Sequence, residues 1–150
     1  MAHAKRSGEA GFTLVELLIC LALFALLLGV FAPAISESRA KARLAASARE
    51  MALALRTTRD RALIRGDRET FAFDALGCTY RTGDTAAHEI ARDVDVQLVA
   101  PNADARGGVI LFYADGGSTG GRLRLTIEKR RLDVDVDWLT GRVSVAGPGA

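Results

Sequence analysis

The sequence predicts an α+β fold in which a long amino-terminal helix, transmembrane in its first half, packs on a small antiparallel β-sandwich head. Three observations predict it. Residues 12–35 carry one charged side chain, Glu16, in an otherwise apolar run. Residues 36–65 contain no Pro or Gly and keep apolar positions at helical spacing. Beyond Gly66 the pattern changes to short alternating segments separated by turn residues. The expected organisation is therefore a short polar segment over 1–11, a membrane segment over 12–35, an amphipathic helical continuation over 36–65 and a β-rich head over 66–150.

The apolar run, FTLVELLICLALFALLLGVFAPAI, is long enough as a helix to cross a hydrocarbon core of about 30 Å. Lys5 and Arg6 just before it favour retention of that end in the cytoplasm, leaving the remainder on the far side of the membrane. A secretory signal peptide fits poorly, because its apolar region would be shorter and free of internal charge. The contrast with the body is sharp: residues 36–150 carry 18 basic and 16 acidic side chains. That split excludes an ordinary soluble enzyme domain, a disordered tail and a multi-span transporter. Cys20 and Cys78 form no Cys-x-x-Cys pair, which excludes a disulfide scaffold and the usual zinc signatures.

Glu16 is the most informative residue. A carboxylate in an apolar helix costs a few kcal/mol when central and less near the interface, so it is a functional candidate that asks for a partner. The plainer alternative is a side chain that reaches the nearby headgroups. Pro33 removes one helical hydrogen bond and is expected to bend or loosen the helix.

In the second half of the helix, Leu44, Ala48, Met51, Leu55, Thr58 and Ala62 repeat at alternating spacings of four and three and should share one buried stripe. The helix should end near Arg65, where Gly66 offers a stop. Eight basic against three acidic residues over 36–65 give this part a net charge of +5, read as a solvated face or a contact with an acidic neighbour rather than a nucleic-acid site. Strand candidates follow at 69–74, 78–81, 94–99, 109–113, 122–128, 132–138 and 142–145, with 82–93 and 100–108 as loops.

The remaining candidate sites read as structural. Asp133, Asp135 and Asp137 alternate along one strand candidate, yet Arg122 and Arg124 alternate on the preceding one, so cross-strand ion pairs are simpler than a calcium site. The glycine-rich stretch 115–121 lacks the Lys and Ser/Thr of a phosphate loop and reads as a turn. Lys129, Arg130 and Arg131 read as a charged hairpin turn that can touch an anionic partner, and His88 as an exposed loop residue. No nucleophile-and-base spacing accompanies His88, so no enzyme, metal or cofactor is expected.

The string Gly11-Phe12-Thr13-Leu14-Val15-Glu16-Leu17-Leu18 resembles the class III signal of type IV pilins and type II secretion pseudopilins. The resemblance implies cleavage by a prepilin peptidase between Gly11 and Phe12, with methylation of the new amino terminus at Phe12. It also implies a pilin-like fold and a role for Glu16 in neutralising the free amine of a neighbouring subunit. Pro33 falls where many members have a proline. Residues 110–122 and 134–143 resemble the H class of type II secretion pseudopilins, which shares its domain with FimT minor pilins of type IV pili; residues 67–105 carry no resemblance. The H class implies a minor subunit near the pseudopilus tip, anchored in the inner membrane with a periplasmic head. Its implied partners are other minor and major pseudopilins, the peptidase, an inner-membrane assembly platform and secreted cargo. A FimT-like role in filament initiation or DNA uptake is the alternative.

Overall fold

A computed structural model describes residues 13–147, and within that range the side chains of 28–37 lie outside the description. Helix α1 spans Leu14–Arg65. Eight strands follow: β1 Glu69–Asp74, β2 Thr79–Thr82, β3 His88–Glu89, β4 Asp95–Val99, β5 Gly107–Phe112, β6 Gly121–Ile127, β7 Arg130–Val136 and β8 Val143–Ala146. The chain divides into two compact units, 1–38 and 39–150.

In the first unit, α1 starts on an N-cap. The apolar side chains from Leu14 to Leu27 stand exposed, Leu14 at 75% and Phe24 at 66%. Among the described residues no helix is long and apolar enough to cross a membrane. The apolar stretch with described side chains ends at Leu27, short of the roughly 20 residues that a crossing needs. Gly11 and Phe12, where cleavage is expected, lie outside the described residues. The helix assignment runs through Pro33, but the bend expected there falls on side chains outside the description.

The second unit contains the whole core. The predicted stripe is buried as expected: Leu44, Ala48, Met51, Leu55, Thr58 and Ala62 are all at most 3% exposed. The stripe meets Phe71, Ile110, Phe112, Leu123, Leu125 and Val134, buried from the strands, in one cluster. Helical periodicity on one side and two-residue alternation on the other thus place both apolar sets in the same interior. Gly66, at φ +66°, takes the left-handed conformation that ends the helix.

Two four-stranded antiparallel sheets complete the head, in the orders β3-β2-β1-β5 and β4-β6-β7-β8. β1 pairs β5 with Phe71 opposite Ile110, and β6 pairs β7 with Leu123 opposite Val134. All seven strand candidates begin and end within two residues of the observed bounds, and β1 matches at both ends.

Three readings change. Within 82–93, read as a loop, His88 and Glu89 pair with Tyr80 and Thr79 as a short edge strand. Only Glu128 and Lys129 form the tight turn between β6 and β7, with Glu128 at φ +54°; Arg130 and Arg131 already belong to β7. Asp137 lies beyond β7 and organises the following turn instead of sharing the strand with Asp133 and Asp135. The glycine-rich stretch 115–121, read as a turn, does supply positive-φ positions at Gly116 and Gly120, and it carries the chain from one sheet to the other.

Candidate assembly site

Thr13 caps α1. Its Oγ1 accepts the Glu16 amide at 3.3 Å, and its carbonyl accepts the Leu17 amide at 3.1 Å. Thr13-Leu14-Val15-Glu16 therefore has the Thr-x-x-Glu spacing of a capping box, with Glu16 at the third helical position. A carboxylate in the first turn is favoured there by the positive end of the helix dipole. Glu16 is exposed, and the neighbouring Val15, Leu17, Leu18 and Ile19 expose 56–63% of their surfaces. The arrangement is one carboxylate on an apolar helical surface, three peptide units from Thr13 and four residues from Phe12. It has the chemistry to take a cation when that surface is covered by apolar neighbours.

Around the carboxyl-terminal half of α1, arginines that the sequence assigned to a solvated face reach back to the head. Arg56 Nη2 donates to the Val143 carbonyl at 3.1 Å. Arg59 Nε donates to the carbonyls of Thr140 at 3.2 Å and Gly116 at 3.4 Å. Arg61 Nη1 donates to Thr82 Oγ1 at 3.3 Å, and Arg65 pairs with Glu69, which is 7% exposed. Arg56 and Arg59 thus reach main-chain carbonyls of the head, Arg61 a hydroxyl and Arg65 a carboxylate. Charge counting alone had no means of showing the Arg56 and Arg59 bonds, because their acceptors are main-chain atoms. On the opposite flank, Arg43 pairs with Asp93.

Tyr80 ties helix to sheet as well. Its hydroxyl donates to Glu50 Oε1 at 3.0 Å, and its ring stacks between Phe71 and His88, with centroids 5.6 and 5.2 Å away. Burial first, and the Glu50 carboxylate second, push the phenol up to about 12. His88 therefore contributes an exposed stacking surface from a strand.

The acidic stripe is an ion-pair ladder. Arg122 pairs with Asp135, and Arg124 and Arg131 flank Asp133 Oδ1 at 3.5 and 3.6 Å. Among the described residues no group of carboxylate, Cys or His side chains has the arrangement of a metal site. Asp137 instead accepts the amides of Leu139 and Thr140 at 3.1 and 2.8 Å, with the Thr140 hydroxyl also at 2.8 Å. These bonds hold its carboxyl below the usual carboxylate range, the Thr140 amide contributing most. The turn they build leaves Trp138 and Leu139 exposed at 67% and 65%.

Residues 6–32 match the prokaryotic N-terminal methylation motif, and residues 47–141 match the model of type II transport protein GspH. The chain belongs to the GspH family. The GspH match also spans residues 67–105, where the sequence by itself carried no resemblance. Type II secretion system protein H of Xanthomonas campestris pv. campestris is 36% identical over 152 residues, covering 98% of this chain and 88% of that protein. The fold resembles the minor pseudopilin EpsH from the Type 2 Secretion System of Vibrio cholerae, with a TM-score of 0.56 at 11% identity over 72% of this chain and 99% of that one. It resembles the Pseudomonas aeruginosa type IV minor pilin FimU with a TM-score of 0.50 at 14% identity, covering 70% and 97%. At these identities the two structures speak for the fold alone. The arginine clamp on α1 and the turn at Asp137–Gly141 both fall within the GspH match.

Proposed function

We propose that the chain is a minor pseudopilin of a type II secretion system, cut between Gly11 and Phe12, methylated at Phe12 and assembled near the pseudopilus tip. The observation that carries the proposal is Glu16, a first-turn carboxylate on an exposed apolar helix surface, four residues from the new terminus. In this reading residues 12–35 anchor the subunit in the inner membrane, with the head in the periplasm. On assembly the apolar surface passes from lipid to neighbouring helices, and Glu16 neutralises the ammonium of an adjoining Phe12. A buried charge left unpaired costs several kcal/mol, so the pair fixes axial register.

The subunit is structural, as its family is, and acts through surfaces rather than a reaction. Other pseudopilins are its direct partners; the peptidase, the inner-membrane platform and secreted cargo meet it during biogenesis and export. The type IV minor pilin alternative is not favoured, because the sequence relative is a secretion protein and the FimU likeness extends to fold only.

Intact-mass measurement on membrane-extracted protein tests processing: a chain beginning at methylated Phe12 is expected, and one beginning earlier in the presence of the peptidase overturns the proposal. Co-isolation of Glu16→Gln with the assembled pseudopilus tests the charge pair. Normal incorporation of that variant would refute it.

A further inference from the structure

A groove of about 750 Å³ runs between α1 and the β6–β7 turn, entirely within the head unit. Leu44, Ala45 and Leu132 form its apolar floor, and Lys41, Lys129, Arg130 and Arg131 its rim. No acidic side chain lines it. Arg131 also faces Asp133 inside the head, whereas Lys41 and Lys129 extend into solvent. The exposed lysines beside an apolar floor select a ligand with carboxylates on either side of an apolar group.

We propose that this groove docks an acidic peptide segment of a neighbouring subunit, one apolar side chain seated on Leu44, Ala45 and Leu132 and its flanking carboxylates facing the lysines. The proposal rests on the reading of the chain as an assembly subunit, and it names the chemistry of one partner. A phospholipid fits less well. An acyl chain that fills half of a roughly 30 Å hydrocarbon core outruns a floor of three side chains, while one leucine or phenylalanine side chain fits it.

The test uses the full chain in neutral detergent and a labelled peptide, Asp-Glu-Leu-Phe-Glu-Asp, followed by fluorescence polarisation. Binding is expected to weaken about tenfold in the K41E/K129E double variant, whose sites are both exposed, and to weaken with added salt. The same variant is expected to gain affinity for Lys-Arg-Leu-Phe-Arg-Lys. Ala45→Trp, which fills the groove without changing charge, is expected to weaken the acidic peptide comparably. Equal binding by wild type and both variants overturns the proposal. So does equal binding of a control peptide with serine in place of Leu-Phe, or tighter binding to phosphatidylglycerol vesicles. Intact mass of the same preparation reads the assembly proposal separately: an uncut chain that still binds the peptide through Lys41 and Lys129 overturns the assembly reading and supports the groove.

Discussion

The hydroxyl of Tyr80 on β2 donates to the Glu50 carboxylate on α1 at 3.0 Å, joining the helix to the sheet that covers it. The bond needs a protonated phenol, and its pKa is raised to about 12. A raised value in the folded state means that stability is fully present below the unfolded value near 10 and is lost as pH rises toward 12. Absorbance titration at alkaline pH is expected to show one of the two tyrosines ionising late. Tyr80→Phe removes that late phase and costs about 1 kcal/mol in denaturant unfolding.

Asp137 gives the opposite pH dependence. Its folded pKa is depressed, so its contribution is present above the unfolded carboxylate value near 4 and disappears as pH falls through the folded one. Thermal unfolding between about pH 5 and 2 is expected to lose less stability in Asp137→Asn than in the wild type.

The buried stripe and the exposed face of α1 should respond differently to truncation. Leu55 is fully buried, whereas Leu53 is 65% exposed. Leu55→Ala is expected to cost about 2–5 kcal/mol and Leu53→Ala less than about 0.5, measured by urea unfolding of the full chain in detergent.

Gly141 sits at φ +59°, and a Cβ there would lie 2.4 Å from the Gly116 carbonyl oxygen. The same turn receives Arg59. Gly141→Ala is expected to cost about 2–3 kcal/mol and Arg59→Ala about 1–2. Hydrogen exchange is the second readout: both variants should speed exchange of the Ser118 and Gly141 amides, which are bonded to Trp138 and Asp137 carbonyls.

The sequence made α1 legible because its stripe repeats over five turns and Gly66 stops it. β6 and β7 were legible because Leu123-Arg124-Leu125 and Val134-Asp135-Val136 alternate in and out. β3 was not, since His88 and Glu89 are both exposed and take their strand geometry from Tyr80 and Thr79 rather than from any pattern of their own. Glu16 stood out by its offset from Gly11 and by its apolar surroundings. Thr13 did not, although its cap is local and the Thr-x-x-Glu spacing carried the signal. The roles of Arg56, Arg59 and Arg61 depend on acceptors that lie 21 to 87 residues away in the chain, a separation no local pattern reveals.

Among the described residues, the buried apolar core runs from Ala40 to Val143. The head therefore carries a complete apolar interior of its own. A unit that closes its own interior meets a neighbour as a finished surface.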